Sequence, residues 1–184
     1  MKKLVTTHWV TLDGYVAGPG DAMDWIRADD DMMAYEQALV GSADTLLLGR
    51  GTYGDFAGYW PNVARDPSAA PGQRNYAQRL DQMHKVMASR TLTAGAWPQT
   101  EVIGELTVDS IGRLKAGAGS IVVYGSVTVV RELVRLRLVD EVHLLVHPLT
   151  VGSGTLPFDT RVELEPIRQQ AFASGVTLMV LRPA

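Results

Sequence analysis

The chain has 184 residues, enough for one domain and too few for two of full size, so residues 1–184 are read as a single domain. Hydrophobic residues at 46% and charged residues at 20% match a globular chain and exclude disordered, collagen-like and coiled-coil readings. There is no cysteine, which removes disulfides, cysteine-ligated zinc, iron–sulfur clusters and thiol nucleophiles. A net charge of −3 argues against a broad phosphate-backbone binder, so nucleic acid is not an expected partner.

The N-terminus reads Met1-Lys2-Lys3 and then an apolar run that Thr6, Thr7 and His8 interrupt. It is too short and polar for a signal peptide. No stretch approaches the roughly 20 apolar residues of a spanning helix, so a cytoplasmic protein without a membrane partner is expected. Leu4 to Leu12 reads as a strand ending at Asp13-Gly14, with a Gly/Pro loop through Gly18-Pro19-Gly20. Asp29 to Val40 suits an amphipathic helix capped by Gly41, and Thr45 to Leu48 a buried strand stopped by Gly49.

Pro61 to Gly72 carries three prolines and reads as a surface loop. Gln73 to Met83 reads as a helix, His84 to Ala88 and Thr100 to Ile103 as short strands, and Asp109 to Ala116 as a helix. Ser120 to Tyr124 is a strand, Val127 to Leu138 a helix, and Asp140 to Val146 a strongly apolar strand. Arg161 to Arg182 holds two alternating runs joined at Ser174-Gly175, a closing antiparallel hairpin. Alternating strands and helices predict an α/β fold with a mainly parallel central sheet, helices on both faces and that C-terminal hairpin.

Three strand-to-helix junctions stand out: Gly49-Arg50-Gly51-Thr52, Ser89-Arg90-Thr91 and Gly125-Ser126-Val127-Thr128. In open α/β sheets ligands bind beyond the carboxyl ends of the strands. Free N–H groups at a helix start attract phosphate, glycine lets the backbone approach it, and arginine adds bidentate contacts. A glycine after a strand is often only a turn, so the weight lies on three junctions together. Gly49-Arg50-Gly51-Thr52-Tyr53-Gly54 has Gly-x-Gly-x-x-Gly spacing, but no acidic residue sits clearly at the expected distance beyond it, so a conventional Rossmann site is not supported.

The order of these segments resembles the dihydrofolate reductase-like superfamily, and within it the branch of the riboflavin-biosynthesis reductase (RibD C-terminal domain-like) proteins. Thr11-Leu12-Asp13-Gly14-Tyr15-Val16-Ala17 is similar to that branch's Ser-Leu-Asp-Gly-aromatic-Ile-Ala signature, and Gly49-Arg50-Gly51-Thr52-Tyr53 to its Gly-Arg-x-Thr-Tyr motif. Val123 to Ser126 resembles its phosphate turn, Leu138 to Leu144 its Leu-Val-Asp-Glu strand, and Pro148 to Gly154 its glycine-rich turn.

The resemblance implies an NADPH-dependent reductase that transfers a hydride to a small heteroaromatic, pterin-, pyrimidine- or carbonyl-type substrate. Val16 and Ala17 are then expected against the nicotinamide. By the same resemblance Gly49, Arg50 and Thr52 are expected to hold phosphate, Ser89, Arg90 and Thr91 to take the 2′-phosphate, and Gly125, Ser126, Val127 and Thr128 to cradle the pyrophosphate. The residue types agree, since a 2′-phosphate needs a hydroxyl and a cation at one strand end, and Ser89-Arg90 offers both. The absent cysteines exclude the zinc deaminase that accompanies the riboflavin enzyme. Relatives of the branch are often dimers, and the apolar residues near Val142 to Val151 are numerous enough for a homodimer interface.

Asp13 is the expected catalytic carboxylate, set against the ordinary use of Asp-Gly as a turn that bonds its own backbone. The acidic run at Asp29 to Asp31 is explained by the helix dipole. Trp25 and Trp60 are the candidate platforms for a flat substrate, although core packing is the commoner fate of tryptophan. His143 and His147 stand four apart without a third ligand nearby, so no metal is expected. No Gly-x-Ser-x-Gly elbow supports a hydrolase. Two alternatives remain open: a nucleotide-binding module without turnover, and a dimer whose sites have decayed.

Overall fold

Runs of leucine, isoleucine and valine between glycine stops build the centre of the sheet, as strands buried on both faces require. In a computed structural model describing residues 1–184, the strands are β1 (Lys3–Thr11), β2 (Thr45–Gly49), β3 (His84–Ala88), β4 (Thr100–Ile103), β5 (Ser120–Tyr124), β6 (Glu141–His147), β7 (Leu164–Ala171) and β8 (Thr177–Pro183). They form one sheet in the order β4-β3-β2-β5-β1-β6-β8-β7. The first six of that order are parallel, whereas β8 runs antiparallel to β6 and to β7.

Side-chain alternation along the strands divides the core between two helix layers. Leu47, Ile121 and Val123 face α4 (Val108–Leu114) and α5 (Val127–Arg135) through Ile111, Val130 and Leu133. Leu46, Leu48 and Val122 face the other layer, α1 (Asp30–Ser42), α2 (Arg50–Arg65) and α3 (Pro71–Gln82), through Val40, Tyr76 and Leu80. Under the hairpin, Met32 of α1 packs with Leu145, Phe172, Leu178 and Val180. The hairpin turns through Phe172 to Val176 with Gly175 at φ +85°, a conformation that suits glycine. The α/β architecture expected from the sequence is therefore the one observed.

Two segments depart from expectation. The loop expected at Pro61 to Gly72 is largely helical: α2 runs through Pro61 to Arg65, and α3 begins at Pro71. An internal proline usually costs a helix about 3 kcal/mol or more. Here Trp60 packs edge-on against Tyr76 of α3 at 4.9 Å and Phe56 lies 6.1 Å from Trp60, so tertiary packing carries the helix past the break. The helix expected to reach Leu138 ends at Arg135. Arg137 turns left-handed at φ +56°, and the Leu138 and Arg137 N–H groups close onto the carbonyls of Leu133 and Val134, a Schellman stop.

Two loops at the carboxyl end of the sheet are fastened together. The segment after β1 forms a bridge to the segment after β6 at Ala17 and Thr155, with Val16 N–H donating to Thr155 O at 2.9 Å. Gly154 passes so close that a Cβ would lie 2.0 Å from the Ala17 carbonyl oxygen. Of the apolar residues near Val142 to Val151, Val142 and Leu145 are buried in the core, while Leu144, Val146, Leu149 and Val151 are partly exposed. No helix is long and apolar enough to cross a membrane.

Candidate functional site

The helices α2 and α5 begin directly after β2 and β5, so their N-termini sit side by side above the sheet. Ser126 joins them. Its backbone is left-handed at φ +53°, and its hydroxyl accepts from Gly49 N–H at 2.6 Å and donates to Thr52 Oγ1 at 2.9 Å. A side chain at Gly49 would press against Ser126 and Val129. Neither helix start is satisfied by a side-chain cap, so backbone donors of both remain open, a pattern suited to an anion.

Above these N-termini lies a polar groove of about 420 Å³. Arg50 and Thr52 line it from α2, Ser89, Arg90 and Thr91 from the end of β3, and Ser126 and Thr128 from α5. Arg50 and Arg90 are exposed, and neither forms an ion pair with any carboxylate of the chain. Ser89 Oγ accepts from Leu92 N–H at 3.0 Å and keeps its own proton to donate.

Thr52 and Ser126 also border a second cavity of about 420 Å³. The two spaces are thus compartments of one cleft. The second is lined by Val16 and Ala17 of the first loop, Phe56 and Trp60 of α2, and Tyr76 and Tyr124, with Thr7 and Trp9 of β1 behind them. Phe56 lies 5.9 Å from Tyr124, which continues the aromatic wall made by Trp60 and Tyr76.

Glu36 of α1 reaches the floor of this cavity. Its carboxyl accepts from Trp9 Nε1 at 3.0 Å and is bonded to the Tyr124 hydroxyl. Burial raises the Glu36 carboxyl above its ordinary range, against the lowering effect of those two bonds. Burial, with Glu36 second, pushes the Tyr124 hydroxyl well up. Beside them Thr7 Oγ1 is buried without a partner.

Most of the residues singled out in the sequence converge here. Val16, Ala17, Trp60, Gly125, Thr52 and Ser126 line the aromatic cavity, while Gly49, Arg50, Ser89, Arg90, Thr91 and Thr128 line the polar groove. Val127 lines neither.

Two expectations are corrected. Trp25 is buried away from the cleft, donating to Ala22 O at 3.1 Å and lying edge-on to His147 at 5.0 Å. It anchors the first loop and offers no face to a substrate. Asp13 lines neither compartment. Its carboxylate accepts from the Thr11 hydroxyl at 2.6 Å and from Gly152 N–H at 2.8 Å, and Val151 N–H lies 3.2 Å away. The Thr11 bond holds that carboxyl below its usual range. Asp13 is therefore a tie between two loops, and the structure does not bring it to the cleft with the other expected site residues.

Reading the sequence missed Glu36, Thr7, Tyr76 and Phe56. Glu36 did leave a signal. It stands four residues from Met32 and four from Val40, on the stripe that α1 buries, where a charged residue needs a reason. His143 and His147 are each held by hydrogen bonds. His143 lies 2.5 Å from the Tyr35 hydroxyl and 3.1 Å from Glu141, and His147 contacts the carbonyls of Leu145 and Arg27.

Comparison with known proteins places this geometry in context. A model of the RibD C-terminal domain matches residues 2–178. The uncharacterized protein YyaP of Bacillus subtilis is 27% identical over 183 residues, which cover 97% of this chain and 94% of that protein. Among solved structures, a putative riboflavin biosynthesis protein from Shewanella sp. PV-4 superposes with a TM-score of 0.75 at 17% identity, covering 99% of both chains. The Thermotoga maritima diaminohydroxyphosphoribosylaminopyrimidine deaminase/5-amino-6-(5-phosphoribosylamino)uracil reductase gives 0.69 at 17% identity, with all of this chain spanning 57% of that one. Dihydrofolate reductase from Enterococcus faecalis, in complex with NADP(H), gives 0.61 at 14% identity over 98% of this chain and 96% of that one. At these identities the structures share the fold.

Proposed function

The chain belongs to the RibD C-terminal domain family, and from that premise we propose that it is an NADPH-dependent reductase acting on a small planar substrate. The observation that carries the reading is one cleft with two compartments, a cationic groove and an aromatic cavity, meeting at Thr52 and Ser126. The names of two fold relatives support it, one a reductase of a pyrimidine and the other a reductase in complex with NADP(H).

The groove suits a dinucleotide phosphate. Ser89 and Arg90 offer a hydroxyl and an unpaired guanidinium for a 2′-phosphate, while the starts of α2 and α5 offer backbone N–H groups to the pyrophosphate. Gly49 keeps that cradle open, since a Cβ there would meet Ser126. When bound, NADPH supplies the hydride. Val16 and Ala17 form the wall nearest the first loop and, with the aromatic residues, exclude water from the reacting atoms. Burial favours the neutral form of Glu36 at the cavity floor, which suits this carboxyl to supply a proton to the acceptor.

Titration of the purified protein with NADPH and NADH, followed by fluorescence or calorimetry, tests this. NADPH is expected to bind more tightly. Binding of neither dinucleotide would remove the reading. Arg90→Ala is expected to weaken NADPH by about 10- to 100-fold, the effect of a lost charge-assisted bond, and NADH little. Equal losses would take Arg90 out of the 2′-phosphate role.

A further inference from the structure

The distribution of charge in the aromatic compartment carries information about its occupant, given the reductase reading above. None of its 16 lining residues is lysine or arginine. Its one histidine, His8, is buried, and burial lowers that imidazole to about 4. Two carboxyl groups do face the space: Glu36 on the floor and Asp55 on α2. Asp55 is exposed and forms no ion pair, so it stands as an unpaired negative charge at the mouth. The cations of the cleft, Arg50 and Arg90, line the polar groove and do not line this compartment.

We propose that this compartment takes an uncharged, unphosphorylated planar heteroaromatic ring with N–H and C=O groups on one edge, and discriminates against the phosphorylated form of the same ring. A phosphate monoester carries a charge of about −1.5 to −2 at neutral pH. Bringing it into or over this cavity removes its water and sets it beside the Asp55 carboxylate with no cation to compensate, and unpaired burial of an anion is strongly unfavourable.

The polar groups present match the edge of a neutral ring. Thr7 Oγ1 is buried with no partner and can both donate and accept. Each Glu36 oxygen holds one bond, to Trp9 or to Tyr124, and in the neutral acid the remaining positions are an O–H donor on one oxygen and a lone pair on the other. Phe56, Trp60 and Tyr124 supply apolar faces for the ring itself. Such a substrate differs from the phosphoribosylamino-uracil in the name of the Thermotoga protein by the charge it lacks.

The test uses the full chain saturated with NADPH and two pairs of probes, riboflavin with its 5′-phosphate and uridine with its 5′-phosphate, together with lumazine. Binding is read by quenching of tryptophan fluorescence and by calorimetry. At least one unphosphorylated ring is expected to bind, and within any pair that binds the phosphate is expected to weaken affinity tenfold or more. Met33→Lys places an ammonium on the cavity wall and is expected to narrow that gap. A phosphorylated probe that binds as tightly as its partner overturns the proposal, as does the failure of every unphosphorylated ring. If NADPH itself fails to bind, the reductase reading falls separately. The same probes titrated onto the free protein then decide the charge preference by the same two outcomes.

Discussion

Glu36 interrupts the apolar stripe of α1, and its environment explains both its retention and its chemistry. Met32, Glu36 and Val40 are the three buried positions of that helix. Burial makes ionisation of Glu36 harder in the folded chain than in the unfolded one. The unfolded state therefore loses this proton first as pH rises. The group's contribution to stability is present at low pH and is lost as pH climbs through its raised value. Glu36→Gln keeps the shape and removes the titration. Its unfolding midpoint is expected to exceed that of the native chain at pH 8, with the gap closing toward pH 5. Thermal unfolding across that range checks this, and parallel profiles for the two proteins would contradict it. Reduction of any ring the NADPH-loaded protein accepts is expected to slow by about 100-fold or more, the usual effect of losing a general acid. Lys85 shows a different outcome for a charged residue in the core. Burial pushes its ammonium down to about 8. Its three bonds to the carbonyls of Leu80, Asp81 and Met83 close the C-terminal end of α3, and Trp97 lies 4.6 Å from the charge.

Between elements, the cleft depends on ties that hold loops rather than on the loops themselves. Asp13 binds the N–H of Gly152, Thr155 pairs with Ala17, and Gly154 lies against the Ala17 carbonyl. These contacts set Val16 and Ala17 against the cavity. Gly154→Ala drives a methyl group into that carbonyl and is expected to destabilise the fold by about 1–3 kcal/mol, in the range of overpacked sites, while weakening NADPH binding. Chemical denaturation and the dinucleotide titration read the two effects, and an unchanged pair of values would show that the loop yields freely. The helix starts were legible in the sequence because glycine, arginine and hydroxyl residues after a strand carry a local physical meaning. The continuation of α2 through Pro61 was not, since the packing of Trp60 on Tyr76 brings together residues on separate helices and overrides the local propensity.

At the scale of the whole molecule, the sheet buries groups whose titration then bears on its stability. His8 lies inside the fold, where burial lowers its imidazole from 6.5 to about 4. As pH falls below 6.5 the unfolded chain takes up a proton that the folded chain refuses, so stability declines toward pH 4. This group alone is expected to remove about 2 kcal/mol between pH 7 and pH 5. His8→Leu is expected to flatten that limb of the stability profile in urea titrations, and an unaltered slope would assign the loss elsewhere. By itself the sequence determined the alternation of strands and helices, the hairpin at Ser174-Gly175, the three glycine- and hydroxyl-bearing junctions and the absence of thiol chemistry. Each of these follows from residues adjacent in the chain. The tertiary structure alone decided which carboxyl group is buried at the cavity floor. Asp13, prominent beside a turn, is engaged by backbone N–H groups of a loop that follows β6. Glu36, inconspicuous inside a helix, is made a buried acid by Trp9 of β1 and Tyr124 of β5. Desolvation and hydrogen bonding act across space, and residues so far apart in the chain meet only when the sheet and its helices have packed.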